Sequence, residues 1–206
     1  MENLKQNNKH KKIGLMCGTF DPPHNGHLIL AQNAMLELGL DLVIFLPVGD
    51  PTHKSTRVAV DHRLEMTRLA IADNPAFTLD TTDALRPQPH YTATLLPLIQ
   101  EKYPESNLWL IIGGDSLHTF PNWYKPAEIL EQCRLAVLDR PGVDTEISLS
   151  ESKNSQFSGK IDRLTGPSIH LSSTWLRQQY AAQSSVRYLV QALVDTYIRD
   201  KKLYQK

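Results

Sequence analysis

Hydrophobic positions along the chain fall into two alternating rhythms. Short, largely apolar runs at Ile13 to Cys17, Leu42 to Leu46, Phe77 to Asp80, Leu108 to Ile112 and Leu135 to Leu138 read as strands. Between them the spacing lengthens. Leu28, Leu30, Ala31, Ala34, Met35 and Leu38 recur at helical intervals, as do Leu64, Met66, Leu69 and Ile71 within a helix expected over Asp61 to Ala72. Asp61 is the expected N-cap of that helix, because its short side chain can accept from the first free backbone N–H groups. A further helix precedes Glu101. Proline is tolerated in a first turn, so Pro97 predicts Thr94 as the cap and leaves Tyr91 and Thr92 in the loop before it.

Strands that alternate with helices form a parallel sheet wrapped by helices. The expected fold is therefore α/β: a Rossmann-like open parallel sheet with helices on both faces, in a single domain that ends in C-terminal helices. Such sheets bind ligands at the carboxyl ends of their strands. The chain has 206 residues, 41% of them hydrophobic, enough for one core. The domain is expected over 13–206. Met1 to Lys12 is polar and basic, and is expected to be a flexible tail.

Charge and composition narrow the function classes. Lys plus Arg and Asp plus Glu number 22 each, so no global field points to nucleic acid as a partner. Of the two cysteines, Cys17 falls in the first strand and Cys133 near a helix end; neither pairing nor metal-ligand spacing is evident, and no protein metal site is expected. No apolar run approaches the roughly 20 residues that span a bilayer, and the N-terminus lacks a signal-peptide core. The expectation is a cytoplasmic protein with no membrane partner. A homo-oligomer is compatible with the sequence.

The densest chemistry lies where the first strand hands over to the first helix, in Gly18-Thr19-Phe20-Asp21-Pro22-Pro23-His24-Asn25-Gly26-His27. Glycine lets backbone approach a ligand, the prolines fix φ, and free N–H groups at a helix start favour an anion. His24 and His27, three residues apart, lie on one helix face and can aim at one volume. An imidazole donates one hydrogen bond when neutral and two when charged, and a neighbouring phosphate favours the charged form. Surface histidines or a helix cap would be the plainer reading of H-x-G-H alone. A second such place is Leu171-Ser172-Ser173-Thr174-Trp175-Leu176-Arg177. There, hydroxyls can cap a helix while Arg177, one turn in, can grip two oxygens at once.

These segments resemble the nucleotidyltransferases with an H-x-G-H signature, and within them the bacterial nicotinate-nucleotide adenylyltransferases. The narrower resemblance also rests on Asp50-Pro51-Thr52-His53-Lys54, on Ile111-Ile112-Gly113-Gly114-Asp115-Ser116-Leu117 with Phe120 and Trp123, and on Arg140-Pro141-Gly142. It runs from about Ile13 to Val190. It implies transfer of AMP from ATP to nicotinate mononucleotide, with Mg²⁺ accompanying ATP. By that resemblance His24, His27 and Arg177 are catalytic, while Gly18, Thr19, Phe20, Lys54, Gly113, Asp115, Ser172 and Ser173 contact ATP. Trp123 would stack on the pyridine ring, with Tyr91, Thr92, Tyr124 and Arg140 as further acceptor contacts.

The chain departs from the family at Cys17, which stands where a glycine is usual. A packed, inert cysteine is the expectation, and a reactive thiol at the site the alternative. Val143 to Lys160, rich in Ser and acidic residues, is expected to be a variable surface loop. Other acceptors remain open, among them phosphopantetheine and nicotinamide mononucleotide. So does a nucleotide sensor without catalysis, against which intact His24, His27 and Arg177 argue.

Overall fold

A computed structural model describes residues 11–49, 58–138 and 155–205. Six strands, β1 (Lys12–Gly18), β2 (Leu42–Pro47), β3 (Phe77–Leu79), β4 (Asn107–Gly113), β5 (Arg134–Leu138) and β6 (Ile161–Leu164), form one sheet in the order β3-β2-β1-β4-β5-β6. Every pairing is parallel. Parallel strands need crossovers, and the helices that supply them cover both faces of the sheet.

Successive strand residues point to opposite faces, so each run feeds two cores. Val43, Phe45, Trp109, Ile111, Ala136 and Leu138 face one core, together with α1 (Asn25–Leu38), α2 (Val60–Ala70), α7 (Ser173–Ala181) and α8 (Ala192–Asp200). Ile44, Leu46, Leu108, Leu110, Ile112, Leu135 and Val137 face the other. That face is covered by α4 (Thr92–Lys102), α5 (Gly114–Thr119) and α6 (Pro126–Gln132), while the short α3 (Thr82–Leu85) follows β3. The chain reverses between β1 and β4. Neighbouring strands there send their connections to opposite faces, which opens a crevice beyond their carboxyl ends.

Several boundaries differ from expectation. Asp61 does not cap α2: Ala59 is the N-cap, and Asp61 lies in the first turn, where its charge complements the helix dipole. Nor does Thr94 cap α4. The helix starts at Thr92 behind Tyr91, and Pro97 lies past the first turn on the exposed face. Lys12, assigned to the tail, opens β1 and donates its backbone N–H to Asp41 Oδ2 at 2.8 Å. Met1 to His10 lie outside the described residues.

The strand β6 had no expectation. It is an edge strand with little apolar signal, held by Asp162, which accepts from Arg134 Nε at 2.6 Å, Arg134 Nη2 at 2.8 Å and Trp109 Nε1 at 2.8 Å. Of the expected loop over Val143 to Lys160, the described end, Ser155–Lys160, is a 3-10 turn whose Phe157 is buried edge-on to Phe120. The rest of that loop lies outside the described residues. Among the described residues no helix is long and apolar enough to cross a membrane.

Candidate active site

At the carboxyl end of β1 the chain turns sharply before α1. Phe20 takes a left-handed φ of 50°, which is unusual for a residue with a side chain, and its ring is buried in the core. A Cβ on Gly18 would meet that ring at 3.1 Å, so glycine lets the ring fold back beneath the turn. Phe20 in turn braces His27 edge-on, with ring centroids 5.1 Å apart.

His24 is the N-cap residue of α1, in extended geometry. Its ring stacks on that of His27, and its backbone N–H donates to His27 Nδ1 at 3.1 Å. Gly26 makes the stack possible, since a Cβ there would lie 3.0 Å from His24 Nδ1. With Nδ1 accepting, the His27 proton is carried on Nε2. Two of the helix-start amides expected to face an anion are used within the protein, the Asn25 N–H donating to Leu189 O at 2.9 Å and the His27 N–H to His24 O at 2.9 Å.

The second wall comes from α7, brought against the β1 turn by its buried Leu176 and Tyr180. Ser172 caps the helix, its Oγ accepting from the Trp175 N–H at 3.2 Å, and Ser173 Oγ donates to Pro22 O at 2.8 Å. Arg177 Nη1 donates to Asp21 O at 2.7 Å, and Nη2 to Thr174 Oγ1 at 3.1 Å. The remote guanidinium is thus tied to the β1 turn.

A cavity of about 780 Å³ occupies the crevice between β1 and β4. Gly18, Thr19, Phe20, His24 and His27 line it from one side, Gly113, Asp115 and Trp123 from another, and Ser172, Ser173 and Arg177 from α7. Trp123 packs on Phe120 with centroids 5.4 Å apart. Tyr91, Thr92 and Tyr124 do not line this cavity. Tyr124, next to the lining residue Trp123 in sequence, stacks on Tyr91 at 4.4 Å, and Lys125 Nζ lies 5.6 Å over Tyr124. Lys54 and Arg140 lie outside the described residues.

Cys17 lies at the cavity floor and packs against the core that faces α4 to α6. Burial, and then the nearby Asp83 carboxylate, pushes its thiol far above the ordinary range, so it stays protonated. Packing and a protonated thiol favour the unreactive reading of Cys17.

Three residues with clear structural roles escaped sequence reasoning. Arg63, fully buried on α2, donates through Nη1 to Thr19 O at 3.0 Å and Val48 O at 2.6 Å, and through Nη2 to Gly49 O. It ties the β1 turn to the chain leaving β2. A signal existed, since Arg63 sits on the buried stripe with Met66, Thr67 and Ala70. Asp21 was within a motif already singled out. Tyr204, which donates to Asp21 Oδ1 at 2.6 Å, gave no local signal.

Comparisons agree with this geometry. Residues 15–179 match the cytidylyltransferase-like family. The nicotinate-nucleotide adenylyltransferase of Bacillus subtilis (strain 168) is 36% identical over 199 residues, covering 95% of this chain and 99% of the relative. Two structures of the Plasmodium falciparum nicotinic acid mononucleotide adenylyltransferase share the fold, each covering 95% of this chain and 98% of theirs. The complex with NaAD superposes with a TM-score of 0.77 at 18% identity, and the complex with APC with 0.73 at 17%. Sheet order, the paired histidines and full-length similarity converge: the chain belongs to the cytidylyltransferase-like family and, within it, to the nicotinate-nucleotide adenylyltransferases.

Proposed function

We propose that this chain transfers AMP from ATP to nicotinate mononucleotide, forming nicotinate adenine dinucleotide and pyrophosphate. The observation that carries the reading is the convergence of His24, His27, Arg177 and Trp123 on one cavity at the switch point of the sheet. A phosphate oxygen of the mononucleotide attacks the α-phosphorus of ATP in line, forming a P–O bond as the bond to the β-phosphate oxygen breaks. The nucleophile is already ionised at neutral pH, so no general base is needed. Catalysis then reduces to positioning and charge stabilisation.

His27 Nε2–H and the His24 imidazole would hold oxygens of the α- and β-phosphates as negative charge moves towards the leaving pyrophosphate. Arg177 supplies a planar cation from the opposite helix. Ser172 and Ser173, whose hydroxyls are used within the protein, support the α7 end of the site. Trp123 offers a flat ring to the pyridine. Lys54 and Arg140 belong to this reading as phosphate and acceptor contacts, and Tyr91, Thr92 and Tyr124 as a rim beside Trp123.

Mg²⁺ fits as a companion of the triphosphate. Among the described residues no three or more His, Cys, Asp or Glu side chains gather as a metal cage, while Asp115 adds one carboxylate to the cavity wall. That suits a hydrated cation held mainly by phosphate oxygens, whose charge would offset that of the departing pyrophosphate. The test is pyrophosphate release from ATP with nicotinate mononucleotide, its amide analogue or phosphopantetheine as acceptor. Turnover should be fastest with the nicotinate compound; faster release with phosphopantetheine would overturn the reading.

A further inference from the structure

The last residues of the chain reach into the β1 turn. Tyr204, beyond α8, is packed beside Tyr180 and donates its hydroxyl to Asp21 Oδ1 at 2.6 Å. Burial, followed by the neighbouring Asp21 carboxylate, pushes the phenol far above its ordinary range, so it remains a donor. Asp21 is almost fully buried, at 3% exposure. Its other carboxylate oxygen, Oδ2, faces Arg177 Nη1 across 4.0 Å, while its backbone carbonyl accepts from that same nitrogen at 2.7 Å.

This arrangement sets up a competition. A carboxylate and a guanidinium readily form two parallel hydrogen bonds, and a buried pair does so with little screening. At 4.0 Å the Asp21 carboxylate stands just short of that contact. Full capture by Asp21 would turn the guanidinium fork away from a bound phosphate. The Tyr204 hydroxyl takes one carboxylate oxygen and holds the group at its present distance.

We propose that Tyr204 is a positioning residue for phosphate binding: by anchoring Asp21, it keeps Arg177 from closing into a bidentate ion pair and leaves the guanidinium available to the anion. The inference rests on the reading of Arg177 as a phosphate contact. Two further observations support a positioning rather than a packing role. Tyr204 adopts a left-handed φ of 64°, a conformation costly to a residue with a side chain, as it makes this bond. And Ser173 and Arg177 from α7, with Tyr204 from beyond α8, all engage the two consecutive residues Asp21 and Pro22.

The experiment compares the full-length protein with Tyr204→Phe, Asp21→Asn, the double variant and Tyr180→Phe. It measures the kinetics of pyrophosphate release with ATP and nicotinate mononucleotide, and calorimetric affinity for inorganic pyrophosphate. Tyr204→Phe keeps the ring and should lower kcat/KM for ATP and pyrophosphate affinity by about tenfold each, the scale on which small misplacements act. Against Asp21→Asn, where the competing charge is gone, the added loss should fall below about threefold. Tyr180→Phe loses a buried hydroxyl that donates to Asp195 Oδ1 and should leave both readouts unchanged.

Wild-type turnover tests the proposed reaction; the pyrophosphate affinities test the Tyr204 linkage without it. If Tyr204→Phe alone does not fold, the double variant against Asp21→Asn supplies the comparison. Wild-type pyrophosphate affinity in Tyr204→Phe overturns the proposal, as does a tenfold loss that persists in the Asp21→Asn background or appears equally in Tyr180→Phe.

Discussion

The imidazoles of His24 and His27 lie stacked with ring centroids 3.6 Å apart and planes inclined by 17°, joined by a bond from the His24 backbone N–H to His27 Nδ1. Because His27 Nδ1 accepts that bond, its ring turns Nε2–H outward as a donor beside the His24 ring, and the pair suits neighbouring oxygens of a phosphate. The stack depends on the absence of a side chain at residue 26.

Gly26→Ala separates stability from activity. Alanine is the better helix former, so the fold should keep its thermal midpoint or gain up to about 1 kcal/mol. The new Cβ would press on the His24 ring at 3.0 Å and tilt it out of the stack. Turnover should fall by about tenfold or more, given how sharply rates respond to such shifts. Thermal unfolding and steady-state kinetics on one preparation check both halves.

Arg63→Met tests the buried tie between the β1 turn and the chain after β2. Removing the guanidinium leaves the carbonyls of Thr19, Val48 and Gly49 without this donor. An unsatisfied buried carbonyl costs about 1 to 3 kcal/mol, so a loss of about 3 kcal/mol or more is expected in urea unfolding. Arg63→Lys keeps the charge but cannot span three acceptors in a plane, and should recover only part of it.

How far the sequence could be read depends on what each residue contacts. The strands β1, β2, β4 and β5 were legible because residues on both of their faces are buried and each run is nearly all apolar. The weakly apolar β6 was not, since its order comes from Asp162, Arg134 and Trp109, which are far apart in sequence. At the site, His24, His27 and Arg177 were legible because their chemistry is local to short motifs. That the Asn25 N–H at the helix start is used within the protein was not legible, because its acceptor, Leu189 O, lies more than 160 residues away. Asp61 was misplaced by two residues because a cap depends on backbone geometry as much as on the side chain.

The Asp162 cluster gives stability a pH dependence. Hydrogen bonds from Arg134, outweighing burial, hold the Asp162 carboxyl below its ordinary range, helped by Trp109. A depressed folded pKa means the contribution is fully present above the unfolded value of about 3.9 and is lost as pH falls through the folded value. Asp162→Asn should lose about 1 to 3 kcal/mol near pH 7, the worth of bonds to a charged group. The difference from wild type should shrink as pH falls below about 4, where wild type also becomes protonated. Unfolding curves at both pH values give the comparison.

Cys17 and Cys133 are both free thiols, and burial raises both, that of Cys133 to about 12. The thiolate is the reactive form. Iodoacetamide at neutral pH should therefore leave native protein unlabelled over a time in which urea-denatured protein takes up two groups. Rapid native labelling of Cys17, blocked by ATP, would instead make it a reactive group at the cavity floor.

The most direct test of the paired-histidine site is the single-turnover rate of His24→Ala with ATP and nicotinate mononucleotide, read beside its thermal unfolding. One well-aimed donor contributes about 3 kcal/mol or more to the transition state, so the rate should fall at least a hundredfold while the unfolding midpoint stays near that of wild type. A rate within threefold of wild type would contradict the account.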